Sequence, residues 1–164
     1  MSAIFSPCRS FRYRLDRDVN PLGELVYAFF GVNCSTADEY KPDHTVTKWI
    51  GFTQRNRGKR LIVGNPFAFV STDVRGLATA ADPIGPENDR YIAEIIAEAD
   101  VLVPCWGRRS KLPRQLRPRL DTLRHMIFAS GKPVRIFGLT KSGDPTHPLT
   151  LGYSTPLVEW TVDP

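Results

Sequence analysis

The sequence has few cysteines and no pattern of metal ligands. Its three cysteines are widely spaced, and none is paired with a histidine in the way that zinc sites require. An odd number of scattered cysteines argues against a disulfide framework and favours reduced, structural thiols. The sequence therefore indicates neither a metal nor any other cofactor. The three residues are Cys8, Cys34 and Cys105.

Long apolar runs are also missing. No segment stays apolar over the length that a membrane-spanning helix needs. The first eleven residues contain Cys8 and Arg9 but no apolar stretch, so we expect neither a secretory signal nor a transit peptide. These absences predict a cytoplasmic protein that has no membrane partner.

Several enzyme signatures are absent as well. The chain contains no nucleophile elbow of Ser-His-Asp hydrolases, no Walker loop and no dinucleotide fingerprint. No repeat or linker divides the 164 residues, of which 41% are hydrophobic and 24% are charged. That composition is typical of a soluble globular protein. We predict one domain over residues 1–164 and a monomer.

Acidic residues are almost absent from two segments that are rich in cations. Residues 48–60 contain five Lys and Arg and no acid, and residues 108–124 contain seven against Asp121 alone. The balance reverses in residues 82–100, and the net charge is +5. A basic face of this kind attracts a polyanion such as a nucleic acid. The other interpretation is that each run is a solvated helix face.

Apolar segments bounded by turn residues predict the strands. Residues 11–18 and 24–32, separated by Asn20-Pro21-Leu22-Gly23, predict an N-terminal hairpin whose second strand is central in the sheet. Further strands are predicted at residues 60–64, 101–105 and 133–139.

Helices are predicted between these strands. Asp43 can cap a helix that carries Trp49 on its apolar face. Pro86 suits the first turn of the next helix, and a leucine stripe over residues 112–127 predicts another. The alternation indicates an α/β fold of three layers, in which a mainly parallel central sheet has helices on both faces.

Polar segments follow the predicted strand ends. In open α/β sheets, ligands bind beyond the carboxyl ends of the strands. We therefore expect the amides, hydroxyls, aromatic rings and histidine of these segments to converge on one rim. The segments are residues 33–38, 65–72, 106–111 and 140–149.

Four of these strand ends resemble motifs of a known enzyme family. Gly31-Val32-Asn33 resembles the Gly-Ile-Asn-Pro-Gly motif of the mismatch-specific branch of the uracil-DNA glycosylase superfamily. Leu61-Ile62-Val63-Gly64-Asn65 resembles that superfamily's base-reading strand, and Cys105-Trp106-Gly107 its Trp-Gly strand end. Thr146-His147-Pro148-Leu149 resembles its His-Pro-Ser motif. The four motifs occur in the family's order and imply a uracil-DNA-glycosylase-like fold.

The chain is also similar to an uncharacterised family of bacterial and phage proteins. The family's Asn-Pro-Ser-Thr-Ala-Asp pattern is matched from Asn33 to Asp38, where Cys34 replaces the proline. Residues 81–89 match Ala-Asp-Pro-x-Gly-Pro-Glu-Asn-Asp, and residues 139–149 match Leu-Thr-Lys-x-Gly-x-Pro-x-His-Pro-Leu. Because this family has no established function, the expected chemistry comes from the glycosylase resemblance.

The resemblance implies catalytic roles for a small set of residues. Asn33 would hold the attacking water, and His147 would hydrogen-bond the departing base. An amide is a poor base, so a carboxylate is expected nearby, and the candidates are Asp38 and Asp43. The alternatives are that Asp43 only caps its helix and that Asp38 only pins the turn at Ser35-Thr36.

The resemblance also implies residues that hold the DNA. Asn65 would read the edge of an extruded base, and Phe67 and Trp49 would stack on it, although both rings could equally belong to the core. The remaining candidates would contact phosphates or, in the case of the leucine, fill the gap that the extruded base leaves. They are Arg108, Arg109, Lys111, Arg114, Lys141 and Leu149.

These features together predict a monofunctional DNA glycosylase that extrudes and excises a base from double-stranded DNA. A modified pyrimidine of phage DNA is the expected target, with antiviral defence as the role, because the second family includes phage and bacterial proteins. The main alternative is a non-catalytic module that binds nucleic acid or nucleotides, since Asn33 is not a carboxylate and Cys34 replaces a proline. An enzyme of RNA or free nucleosides is a further alternative.

Overall fold

The computed structural model describes residues 2–34 and 43–161. Within these ranges the strands are β1 (Ser2–Phe5), β2 (Arg12–Asp18), β3 (Leu25–Phe30), β4 (Asn33–Cys34), β5 (Gly58–Val63), β6 (Phe67–Val70), β7 (Val101–Pro104), β8 (Arg135–Ile136) and β9 (Val158–Glu159). The α-helices in the same part of the chain are α1 (His44–Arg55), α2 (Val74–Thr79), α3 (Asn88–Glu98) and α4 (Pro118–Ala129). None of these helices is long and apolar enough to cross a membrane.

Five strands form the main sheet in the order β1-β2-β5-β3-β7. β3 is parallel to β5 and to β7, whereas β2 is antiparallel to both β1 and β5. The fold is therefore α/β, as predicted, but the sheet is mixed and the prediction of a mainly parallel sheet is wrong. β1 and β2 follow each other without a helix between them and pair as an antiparallel hairpin.

The N-terminal hairpin is not the one that the sequence predicts. β2 and β3 are separated by β5, and the hairpin consists of β1 and β2. The segment between β2 and β3 is bound to the start of β5: the N–H groups of Val19 and Asn20 donate to the carbonyl of Lys59, and that of Glu24 donates to Arg57. These bonds hold the connection against the start of β5, so β2 and β3 lie on either side of β5.

β3 is central, as predicted. Tyr27, Ala28, Phe29 and Phe30 are each at most 1% exposed. A parallel strand between two neighbours is covered on both faces, and a continuous apolar run suits that position better than an alternating one. The run therefore places β3 in the interior and brings its carboxyl end to the edge where β5 and β7 also end.

Helices cover both faces of the sheet, as predicted. α1 packs Trp49 and Phe52 on the face that carries Phe29. α3 and α4 pack their isoleucines and leucines on the other face, around Phe30 and Ala28. Both helical stripes follow the three-four spacing of an amphipathic helix.

Three predicted segments differ in detail. Residues 65–82, for which the sequence predicts neither a strand nor a helix, contain β6 and α2. The helix predicted over residues 112–127 begins only at Pro118, because two 3₁₀ turns, Arg109–Lys111 and Arg114–Leu116, precede it. The strand predicted over residues 133–139 shortens to β8, which pairs with β9.

Two of the cysteines are free thiols with different surroundings. Cys105 is buried, and burial raises the pKa of its thiol to about 12, which fits the predicted structural role. Cys8 is exposed, and hydrogen bonds from Ser10 and Ser6 lower the pKa of its thiol to about 7. The structural role predicted for the cysteines therefore does not extend to Cys8.

The C-terminal segment closes the core through Trp160. Its ring makes edge contacts with Trp106 and Phe128, with ring centres 6.3 and 5.3 Å apart. We expect Trp160→Ala to lower the free energy of unfolding by about 3 kcal/mol, because it leaves a cavity between these rings. Urea unfolding measures this change. Leu22→Ala is the control, since Leu22 is 90% exposed and its loss should change stability by less than about 0.5 kcal/mol. Equal effects of the two substitutions would show that the segment does not stabilise the core.

Candidate functional site

A pocket of about 320 Å³ lies at the carboxyl ends of β3, β5 and β7. This volume is within the range of small-molecule sites. The pocket brings together most of the catalytic and base-binding residues that the sequence predicts. Those that line it are Asn33, Asp43, Trp49, Asn65 and His147, and Leu149 of the predicted DNA contacts lines it as well.

Gly31 allows two of these side chains to approach the end of β3. Its N–H donates to Oδ1 of Asn65 at 3.2 Å. A Cβ at Gly31 would lie 3.1 Å from that oxygen and 3.2 Å from the ring edge of Trp49. The bond to Gly31 therefore orients the Asn65 amide at the pocket wall, and a larger residue at position 31 would displace it.

Asn33 is held by a short two-stranded ladder. It pairs with Phe67 where β4 runs beside β6, and its side-chain Nδ2 donates to the carbonyl of Ser71 at 2.5 Å. The amide nitrogen therefore faces the loop that contains Ser71. The Nδ2–H of Asn33 therefore stabilises the fold, in addition to the catalytic role that is predicted for this side chain.

Asp43 is a helix cap that also lines the pocket. Its Oδ1 accepts a hydrogen bond from the N–H of Val46 at 2.8 Å, so the cap interpretation is confirmed. The same residue belongs to the pocket wall, which gives the site a carboxylate. The other carboxylate candidate, Asp38, lies outside the described residues.

His147 is held in one tautomer by its own loop. Its Nδ1 accepts a hydrogen bond from the N–H of Leu149 at 3.2 Å. In a neutral imidazole one ring nitrogen accepts and the other carries the proton. The bond from Leu149 therefore assigns the proton to Nε2, which becomes the hydrogen-bond donor of the ring.

The surroundings of His147 keep it neutral. Burial lowers the pKa of the imidazole, the positive charge of Lys111 lowers it further, and the carboxylate of Asp43 partly opposes both. Gly107 packs against the same residue with a positive φ of 74°, and a Cβ there would lie 3.3 Å from Cβ of His147. Trp106 and Gly107, at the Trp-Gly strand end, thus form the pocket wall next to His147.

The two predicted stacking rings have different positions. Trp49 is 4% exposed and stacks on Phe29 with ring centres 5.6 Å apart, yet its edge also lines the pocket. Phe67 is fully buried in the core on the other face of the sheet and does not line the pocket. The structure therefore does not place Phe67 where it could stack on a bound base.

The predicted DNA-binding cations also divide into two groups. Arg108 and Lys111 line the pocket, and Lys141 lines an adjoining groove. Arg109 instead donates to the buried carboxylate of Asp144 and to Asp121, so its charge is used within the protein. The prediction that Arg109 contacts DNA does not fit these ion pairs. Arg114 is exposed and lines neither cavity.

Arg12 lines the pocket, although no sequence pattern predicts it as a site residue. It begins β2 and is 4% exposed. Because β2 is antiparallel to β5, its amino end lies beside the carboxyl end of β5. The predicted rim consists of segments that follow strands, and an arginine that begins an antiparallel strand lies outside them. No group of three or more His, Cys, Asp or Glu among the described residues could hold a metal ion.

A comparison with protein families gives one match. The model of a family described as "Protein of unknown function (DUF1643)" matches residues 12–149. The chain belongs to this family. No curated protein and no solved structure matches the chain. The DUF1643 range extends from Arg12 to Leu149, so it contains every residue that lines the pocket.

The charges around His147 can be tested by its titration. We expect Lys111→Gln to raise the pKa of His147, because a neighbouring positive charge is removed, and Asp43→Asn to lower it. Asparagine retains the helix cap at position 43. The shift of the imidazole Cε1 proton signal with pH measures both changes. Lys59→Gln should leave the pKa unchanged, because Lys59 lies near the amino end of β5, at the opposite end of the strand from the pocket. Shifts of one sign in both pocket variants would contradict the charge arrangement.

The different tasks of Arg108 and Arg109 predict different effects of their substitution. Arg109→Gln removes hydrogen bonds to the 1% exposed Asp144, so we expect a loss of unfolding free energy on the order of 2 kcal/mol. Arg108→Gln should change it by less than about 0.5 kcal/mol, because Arg108 is exposed and has no carboxylate partner among the described residues. Thermal and urea unfolding measure both. If only Arg108→Gln destabilised the protein, the structural role would belong to Arg108 and not to Arg109.

Proposed function

We propose that this protein is a monofunctional DNA glycosylase with a uracil-DNA-glycosylase-like fold. It hydrolyses the N-glycosidic bond of a nucleotide extruded from double-stranded DNA. The observation that supports this most is His147, which is neutral, carries its proton on Nε2 and shares one pocket with a carboxylate and two amides. Arg108 and Lys111, which have no carboxylate partner among the described residues, line the same pocket.

The departing base needs a hydrogen-bond donor. When the glycosidic bond breaks, its electron pair moves onto the base, and a base carbonyl oxygen becomes negative. Nε2–H of His147 donates to that oxygen. A neutral imidazole suffices, because the donor stabilises the anion without transferring its proton. The low pKa of His147 is compatible with this role at neutral pH.

The sugar needs a negative charge nearby and a nucleophile. Positive charge develops on the sugar as the base leaves, and the carboxylate of Asp43 stabilises it across the pocket. Water then adds to the sugar carbon and gives a proton to the carboxylate of Asp43, and the base anion takes up a proton from solvent, which completes the hydrolysis. Asn33 positions this water. Asp43 supplies the base, because the amide of Asn33 is a poor one.

The other residues that line the pocket recognise the nucleotide. Asn65, oriented by Gly31, reads the edge of the base, and the edge of Trp49 forms the wall beside it. Arg108 and Lys111 contact phosphates. Leu149, which is 44% exposed at the rim, fills the space that the extruded base leaves in the duplex.

The base itself is assigned from the sequence resemblance. The similar proteins of unknown function occur in bacteria and phages, and their motifs differ from those of ordinary repair enzymes. We therefore propose a modified pyrimidine of phage DNA as the target and antiviral defence as the role. Phages with modified DNA should then be restricted by this protein, whereas phages with unmodified DNA should not.

The activity can be tested with a panel of duplexes that contain uracil, mismatched thymine or modified phage-type pyrimidines. We expect abasic sites on at least one of them, detected by strand cleavage with alkali. His147→Ala should reduce the rate on the order of 10² to 10³-fold, because one hydrogen-bond donor to the leaving base is lost. His125→Ala is the matched control, since His125 is exposed on α4 and lies outside the pocket.

Wild type and its variants also test the alternative of a non-catalytic binding module. A binding module would release no base from any duplex, and its DNA affinity would be the same in wild type, His147→Ala and Asn33→Ala. Because Asn33 also bonds to Ser71, thermal unfolding of Asn33→Ala must first show that the fold is retained. A fully inactive wild type on the whole panel would refute the glycosylase proposal.

A further inference from the structure

One sequence motif has no role in the proposed reaction. Residues 81–89 resemble a pattern of the similar proteins of unknown function, yet none of them lines the pocket. The motif is instead bound to β6, because the N–H of Ala68 donates to the carbonyl of Ile84 at 3.1 Å. It therefore lies against the strand that begins two residues after Asn65.

A tight turn carries this motif into α3. Oδ1 of Asp82 accepts hydrogen bonds from the N–H groups of Ile84 at 3.0 Å and Gly85 at 2.9 Å. Gly85 has a φ of 95°, and a Cβ there would lie 3.0 Å from the ring of Phe11. The positive φ and the close approach both require glycine at this position. The turn is therefore fixed, and it leads to Asn88, the first residue of α3.

Asn88 binds the backbone at Asn65 and Pro66. Its Nδ2 donates to the carbonyl of Asn65 at 3.0 Å and to that of Pro66 at 3.1 Å. Asn88 is 0% exposed, and its Oδ1 makes no hydrogen bond within the described part of the chain. A reversed amide would bring Oδ1 against two carbonyl oxygens, so these two bonds decide the orientation of the amide. Among the residues that the structure describes, this side chain therefore bonds only to the backbone around Asn65.

Arg119 on α4 holds the same segment. Its Nε donates to the carbonyl of Pro66 at 3.0 Å, and its guanidinium pairs with Asp89, the last residue of the motif. Arg119 is 8% exposed, and a buried charge is stable only when it is paired and hydrogen-bonded. The carbonyl of Pro66 accepts from both Asn88 and Arg119, which matches its two lone pairs. Two helices therefore fix the peptide that follows Asn65.

Asn65 is thereby held at both its backbone and its side chain. Its carbonyl accepts from Asn88, and its Oδ1 accepts from the N–H of Gly31 at the pocket wall. We propose that Asn88 is a positioning residue, which fixes the amide of Asn65 in the pocket with the support of Arg119. The positioning does not depend on the chemistry of the site. Its consequence, that Asn88 controls how well Asn65 reads the base, rests on the proposed function and deepens it.

Hydrogen exchange of the Gly31 N–H measures the positioning without any substrate, because this group donates to Asn65. We expect Asn88→Ala to accelerate this exchange about tenfold more than that of the amides within β3 and β5, since one hydrogen bond is weakened locally. Asn56→Ala is the matched control, because Nδ2 of Asn56 donates to the carbonyl of Phe52 at 2.8 Å, at the end of α1 and outside the pocket. In the control all these amides should change alike.

Base release measures the consequence for the reaction. On a duplex that loses its base, we expect Asn88→Ala to lower kcat/KM on the order of 10-fold or more, because a small displacement of an orienting group is costly. In an Asn65→Ala background the same substitution should change kcat/KM by less than about twofold, because no amide remains to be positioned. Asn56→Ala should have the same small effect in both backgrounds. If Asn88→Ala does not fold, Asn88→Ser, whose hydroxyl donates one bond, replaces it in both experiments.

Two results would overturn the inference. Exchange at Gly31 that rises only as much as that of the β3 and β5 amides would show that Asn88 stabilises the fold as a whole. Equal losses of kcat/KM with and without the Asn65 amide would show the same. The glycosylase proposal fails separately, when no duplex of the panel loses its base, and exchange at Gly31 then decides the positioning alone.

Discussion

The parallel pairing of β3 with β5 and with β7 is the constraint on which the site depends. Three strands that run the same way end at one edge, so the segments that follow them must meet there. The pairing continues to the last residues, since the N–H of Gly64 donates to Phe29 and that of Cys105 donates to Phe30. The segments that follow β3, β5 and β7 into the pocket therefore leave from fixed points.

Several groups at the pocket stabilise the fold and face the ligand space at once. Asp43 caps α1 with one oxygen, and its charge still acts on His147. His147 accepts the N–H of Leu149, and this bond decides which ring nitrogen carries the proton. Such double use holds the side chains in place before a ligand binds, and preorganised groups need little rearrangement when charge develops.

Local patterns predicted a large part of the fold because they report on burial. The apolar run of β3 predicted a central strand, and the carboxylate of Asp43 before a helical stripe predicted a cap. Strand neighbours were harder to predict. Two apolar strands joined by Asn20-Pro21-Leu22-Gly23 satisfy the rule for a hairpin. The connection binds the start of β5 instead, and these partners are 33 to 40 residues away in sequence.

The sequence by itself determined which segments are buried, that a helix begins after Asp43 and which polar residues follow strand ends, because these properties depend on neighbours within a few positions. Only the tertiary structure decided which of them act together. Arg108 and Arg109 are equivalent as neighbours in a basic run, yet one lines the pocket and the other is held by Asp144 and Asp121. Arg12 enters the site through an antiparallel strand. Charge partners and strand directions depend on residues far apart in the chain, so no local pattern contains them.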